Sequence, residues 1–162
     1  MRFTIDQRFQ AAPDAVARLY ADPSLYDSFQ ELPKMSRPEV ISHEVQGDQV
    51  LLQIRYRFNG HLSSAARAVL DPSRLTWVEH ATHDLATRTT TFRMVPDHYG
   101  DRFSCSGTYR FEPDGEGTRR HCAAEIKVRA LLVAGAVENA IVSGLREHLA
   151  DEVAIVDARL SA

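Results

Sequence analysis

The chain has 162 residues, 44% of them hydrophobic and 25% charged, with a formal net charge of -3. A chain of this length is expected to form one domain, 1–162, with enough interior for a sizeable core. A charge balance so near neutrality argues against nucleic acid or an anionic membrane as partner.

Met1-Arg2-Phe3-Thr4-Ile5-Asp6 alternates like a strand and lacks the apolar core of a signal peptide. No stretch approaches the length that spans a bilayer. The expected compartment is the cytoplasm.

In chain order, residues 2–11 read as a strand with Phe3, Ile5 and Phe9 on one face and Gln7 among them. Pro13 followed by Asp14 opens a short helix at the favoured first-turn position. Asp22-Pro23 repeats the device and predicts a second short helix over 23–32, followed by a loop over 33–38. Strands over 39–46 and 49–58 are joined at Gly47-Asp48, a two-residue hairpin signal. The segment 59–71 is ambiguous, and its part 63–70 reads as either a helical turn or a loop. Strands over 74–83, 88–95, 102–111 and 118–129 complete a meander.

Centring each turn and reading across gives a register. It sets Ile41, His43 and Val45 beside Val50, Leu52 and Ile54, with His43 expected in the core. It sets Trp77 beside Met94, Glu79 beside Phe92, and His83 beside Arg88. The next hairpins pair Phe92 with Cys105, Arg88 with Tyr109, Tyr109 with Arg120, and Phe103 with Ile126. The opposite face collects His80, Thr82, Thr91, Arg93, Thr108, Arg110 and Lys127, so one face is wet and the other covered. The expected cover is residues 130–160, a proline-free stretch. There Leu131, Val137, Ile141, Val142, Leu145, Leu149, Val153, Val156 and Leu160 share one arc at helical spacing. Such a helix runs roughly 45 Å, so it needs a long apolar surface to lie on.

The element order is one strand, two short helices, six strands and a long C-terminal helix, whose start carries Gly135-x-x-Glu138-x-x-Ile141. On these features the chain resembles the START-like (helix-grip, SRPBCC-type) superfamily, in an uncharacterised bacterial branch. The resemblance implies an α+β helix-grip fold, with a curved antiparallel sheet of about seven strands wrapped on the long helix. It also implies a hydrophobic cavity between the two. Such folds host carriers and enzymes alike, so function has to be argued from the site.

The covered face carries large side chains (Trp77, Phe92, Met94, Phe103, Tyr109) beside small ones (Ala81, Thr90, Cys105, Gly107, Cys122, Ala124). The room over the small residues holds either a ligand or the side chains of the helices. The expected ligand-binding residues are Trp77, Glu79, Arg88, Phe92, Tyr109, Arg120, Glu138, Ile141 and Leu145. Glu138 falls inside the apolar arc, level with Glu79. Two carboxylates facing an apolar space would raise each other's pKa, as a general acid or base requires; alternatively, Glu138 caps a backbone group or pairs with a cation.

Arg88, Tyr109, Arg120 and His83, level with His148 and Glu152, read either as an ion-pair cluster closing the far end or as the head-group site of an acidic ligand. His80-x-x-His83 lies on a strand, where the odd separation sends the rings to opposite faces, so no metal site is expected. Cys105 and Cys122 are expected as small buried thiols. There is no phosphate-binding glycine loop and no nucleophile elbow. The reading is binding of a small hydrophobic or amphipathic molecule, with no cofactor and no catalytic residues. The alternatives are a cyclase or dehydratase using Glu79, Glu138 and Tyr109, or a protein-interaction module with a filled cavity.

Overall fold

In the computed structural model, which describes all residues except 30–34, 60–63, 69, 131 and 133, seven antiparallel strands form one sheet in the order β1-β7-β6-β5-β4-β3-β2. The strands are β1 (Arg2–Phe9), β2 (Glu39–Gln46), β3 (Gln49–Arg57), β4 (Thr76–Asp84), β5 (Thr89–Pro96), β6 (Phe103–Asp114) and β7 (Gly117–Val128). The helices are α1 (Pro13–Tyr20), a four-residue α2 (Ser64–Arg67) and the long α3 (Ala134–Ser161). Pro23–Ser28 and Pro72–Arg74 form short 3-10 turns, each opened by an aspartate, Asp22 and Asp71, whose side chain accepts a backbone N–H. The long C-terminal helix thus starts at Ala134 and not at residue 130. The expected helix over 23–32 shortens to a 3-10 turn within its described part. Residues 30–32, and Leu131 of the expected arc, lie outside the described residues. The chain has the START-like, helix-grip fold.

Strand alternation sets the faces. In β1 the pattern is strict, with Phe3, Ile5, Gln7 and Phe9 buried and their neighbours exposed. Three expected registers are each displaced by two residues. Trp77 pairs with Pro96, Phe92 with Gly107, and Tyr109 with Cys122. A two-residue slip leaves every side chain on its expected face, because the strand period is two. The pairing partners change. The β4–β5 connection has Arg88 at φ 54, outside either strand, so Arg88 does not stand beside Tyr109 on the covered face. Thr90 takes that place opposite Tyr109.

A second correction concerns β2. A bulge between Val40 and Ser42 breaks its register with β3. Ile41 is 46% and Val45 60% exposed, and His43 is exposed with them rather than lying in the core. The cause lies in the helix. α3 packs most closely on β1 and β7, at the opposite edge of the sheet, so its cover does not reach β2.

Between these edges the helix stands away from the sheet. Val137, Val142, Leu149 and Val156 of α3 are buried against the core, joined by Val16, Ala17 and Tyr20 from α1. Gly107 sits where a Cβ would lie 2.5 Å from the Ala123 carbonyl oxygen and 2.6 Å from the Ala124 Cβ. Only glycine fits so close an approach, and the rings of Phe92 and Tyr109 stack beside it at 4.9 Å.

Candidate ligand cavity

The space between sheet and α3 has two unlike ends. At one end lies a cavity of about 220 Å³. Its wall is built from Trp77, Met94, Phe103 and Ile126 of the sheet, and from Val137, Ile141, Gly144 and Leu145 of α3. These positions follow from local rules: alternate residues of β4 to β7 point inward, and Val137, Ile141, Gly144, Leu145 and His148 recur at helical spacing. Phe3, Met35 and Phe58 complete the apolar surface. The exposed polar members of the lining, Arg74, His98, Arg102 and Arg129, mark the mouth. It lies beside the 3-10 turn Pro72–Arg74, the β5–β6 loop and the end of β7.

Trp77 stacks on Tyr56 at 5.8 Å, and Tyr56 meets the His148 ring edge-on at 6.3 Å. Trp77 Nε1 and His148 Nδ1 are buried without a hydrogen-bond partner among the described residues. Gly144 stands inside the helix, yet a Cβ built on it would meet nothing within 4 Å. Glycine in a helix interior is unfavourable by roughly 0.5–1 kcal/mol relative to alanine. No close packing requires glycine there, and its missing side chain leaves room in the cavity.

The other end is filled by a buried polar cluster. Arg120 Nη1 donates to Gln7 Oε1 at 2.8 Å and lies 3.6 Å from Glu152 Oε2. The guanidinium is sandwiched between the rings of Tyr20 at 3.8 Å and Tyr109 at 3.7 Å. Glu152 also accepts a bond from the Tyr20 hydroxyl at 3.0 Å, and its Oε1 lies 3.0 Å from His148 Nε2. Gln7 Nε2 in turn donates to the Leu149 carbonyl of α3. Burial pushes Glu152 up, but His148, Arg120 and Tyr20 outweigh it and hold the carboxyl below its ordinary range. Burial pulls His148 down, and the bond to Glu152 together with its charge overcomes this and holds the imidazole above its ordinary value. Each partner favours the charged form of the other.

Of the residues expected at a binding site, Trp77, Ile141 and Leu145 line the cavity. Phe92 and Tyr109 pack in the core beneath the polar cluster. Arg120 meets its anion inside the protein, in Glu152, with no second guanidinium left beside it among the described residues. Arg88 lies 3.6 Å from Asp14 at a partly exposed turn, away from both ends. Glu138 accepts the Val128 N–H at 2.9 Å and lies 3.6 Å from the Met1 amine, so it ties α3 to β7 and β1.

Glu79 is half-buried, and burial pushes its carboxyl up to about 7, opposed by Arg120 and reinforced by Glu152. Among the described residues it has no hydrogen-bond partner, and it does not line the cavity. Glu79 and Glu138 therefore face different groups and do not form a catalytic pair. His83 is bonded to Thr90 at 2.9 Å and is driven down to about 3 by burial and by Arg120. It stays neutral, outside the ion-pair cluster. Cys105 and Cys122 are free and buried.

Sequence reasoning missed the arginines of the mouth, which follow turns and carry no periodic signal. It also missed Gly144, although a glycine in the interior of an alanine- and leucine-rich helix is a readable mark. Among the described residues no helix is long and apolar enough to cross a membrane, and no group of three or more His, Cys, Asp or Glu could hold a metal.

Residues 4–160 match a family described as Protein of unknown function (DUF2505). No curated protein matches the sequence significantly. Among solved structures, the protein TTHA0849 from Thermus thermophilus is similar at a TM-score of 0.69 and 17% identity, over 99% of this chain and 97% of that one. The Zhui aromatase/cyclase from Streptomyces sp. R1128 is similar at 0.65 and 20%, over 99% and 93%. Norcoclaurine synthase from Thalictrum flavum is similar at 0.67 and 18%, over 100% and 87%. At these identities the likeness is one of fold.

Proposed function

The chain belongs to the DUF2505 family, and from that premise we propose that it binds a small hydrophobic or amphipathic molecule between sheet and α3. The observation that carries this reading is the cavity of about 220 Å³, apolar in its depth and polar at its mouth. Ligand pockets typically run from about 300 to 1,000 Å³, so this one falls just below that range and suits a small ligand. The reading is of a binding protein rather than an enzyme, because most titratable groups of the interior hold the fold together, and Glu79, which does not, stands outside the cavity lining. Glu152 meets both His148 and Arg120, and Glu138 bonds β7. A substrate in place of a carried ligand would occupy the same space, but among the described residues no carboxylate lines it. Two free, buried cysteines and a net charge of -3 are in keeping with a cytoplasmic protein that does not bind nucleic acid.

Native mass spectrometry of freshly purified protein tests the reading directly, with extraction and identification of any bound mass. Gly144→Phe supplies the control, since its ring would enter open space rather than the packed core. The variant is expected to fold and to lose both the co-purified mass and the ligand-dependent change in Trp77 emission. Trp77 is the only tryptophan of the chain, so that signal is unambiguous. If Gly144→Phe binds as the parent does, the cavity is not the binding site.

A further inference from the structure

We infer that the ligand is anionic, with a carboxylate or phosphate head group held at the cavity mouth by Arg74, Arg102 and Arg129; this rests on the proposed binding function. The lining contains these three arginines together with His98 and His148, and among the described residues it contains no aspartate or glutamate. An apolar pocket with three arginines and no carboxylate in its lining favours an amphiphile whose polar end is negative.

Of the aspartates near the mouth, Asp101 alone lies within ion-pair distance of a mouth arginine among the described residues. Asp71 accepts bonds from Ser73 N at 2.9 Å and Ser73 Oγ at 2.7 Å, and it offsets only part of the positive charge of Arg74 and His98. Asp97 lies 3.4 Å from Arg55. Asp101 lies 3.7 Å from Arg102, but its side chain is 81% exposed, and an ion pair so open to solvent contributes little. Arg74 meets no carboxylate in an ion pair among the described residues. Its Nη2 lies 3.3 Å from His98 Nδ1, and its guanidinium lies 5.4 Å from the centre of the Tyr99 ring. Arg129 likewise has no ion-pair partner among the described residues.

The rim is also braced. The Tyr99 hydroxyl accepts the Asp71 N–H at 3.0 Å, which ties the β5–β6 loop to the approach to the Pro72–Arg74 turn. The Arg129 N–H donates to the Arg102 carbonyl at 2.7 Å, which fixes the end of β7 against the same loop. The arginines are therefore carried on backbone tied across the mouth. Their planar forks suit the paired oxygens of a carboxylate or phosphate. The ligand tail then points down toward Ile126 and Leu145, away from Arg120, which already meets Glu152.

The test uses the full chain and three ligands of equal tail length, octanoate, octyl phosphate and 1-octanol, followed by calorimetry and Trp77 emission. Both anions, or one of them, should bind at least about tenfold more tightly than octanol, since hydrogen bonds to charged groups contribute about 1.5–3 kcal/mol. The tighter anion identifies the head group. The triple variant Arg74→Gln, Arg102→Gln, Arg129→Gln should lose that preference while octanol binding and melting temperature stay at parental values. Raising salt should erode the preference in the parent, because these charges are exposed. Octanol binding as tightly as both anions overturns the head-group inference and leaves the binding function standing. So does a preference that survives the triple substitution. No binding of any of the three, with no mass retained on purification, overturns the binding function itself.

Discussion

The two ends of the space under α3 are built from the same strands and the same helix, yet one is closed and the other open. At the Arg120 end, five polar side chains (Gln7, Tyr20, Arg120, His148 and Glu152) pair with one another in the interior, with Arg120 Nε and His148 Nδ1 left without a hydrogen-bond partner among the described residues. At the Trp77 end the lining is apolar, a glycine replaces a side chain, and about 220 Å³ stays open. The difference teaches that buried charge here serves to fix the helix on the sheet. Gln7 and Arg120 from β1 and β7 grip the segment from His148 to Glu152, and Glu138 ties the start of α3 to β7 and β1. The helix stands off over the cavity between these two anchors.

The largest test of that division is Glu152→Ala. It leaves Arg120 buried without its anion, and removing one partner of a buried pair typically destabilises by about 3–5 kcal/mol. Urea unfolding should show that loss. The double variant Arg120→Leu, Glu152→Leu should be markedly more stable than Glu152→Ala, because no unpaired charge remains. A Glu152→Ala protein as stable as the parent would mean that the cluster does not anchor the helix.

Glu79 sharpens the comparison by pH. Its carboxyl rises from an ordinary 4.5 to about 7 in the folded chain. The folded state therefore binds more protons than the unfolded state between these values, and stability falls as pH rises from about 4.5 to 7. Glu79→Gln removes that term, which amounts to at most about 3 kcal/mol for a group that is only half-buried. The variant is expected to melt above the parent at pH 8 and with it at pH 4. Equal melting temperatures at pH 8 would place the carboxylate in water.

His148 and Glu152 act in opposite windows. The raised His148 contributes stability that is complete below its ordinary pKa and is lost as pH rises through the folded value. The depressed Glu152 contributes stability present above its ordinary pKa and lost as pH falls through the folded value.

At the open end the effects are smaller and of opposite sign. Gly144→Ala should stabilise by about 0.5–1 kcal/mol, since helix propensity improves and a Cβ there meets nothing. A loss of stability would mean that the wall at Gly144 is packed after all. Arg88→Gln should change stability by no more than about 0.5 kcal/mol, because it removes only a partly exposed pair with Asp14. A large drop would return Arg88 to the interior, where its spacing from Tyr109 had suggested it.

What the sequence by itself determined is which residues point inward. Alternation along β1 and β4 to β7, and helical spacing along α3, are consequences of backbone geometry, so Trp77, Phe103, Ile141, Leu145, His148, Arg120 and Glu152 all face the interior as their spacing requires. Turn chemistry likewise placed the hairpin at Gly47, whose φ of 63 is one that glycine adopts without strain. Only the tertiary structure decided what each inward residue meets. A slip of two residues at a hairpin leaves the sequence pattern unchanged, yet it moved Arg88 off the sheet and set Thr90 opposite Tyr109. The line that α3 takes across the sheet has no local signature either, because it follows from packing against β1 and β7 together. That line left Ile41, His43 and Val45 in solvent, gave Arg120 its anion from the helix, and opened the cavity over Trp77. Faces depend on the geometry of one strand or one helix at a time, whereas partners and empty space depend on how all of them pack.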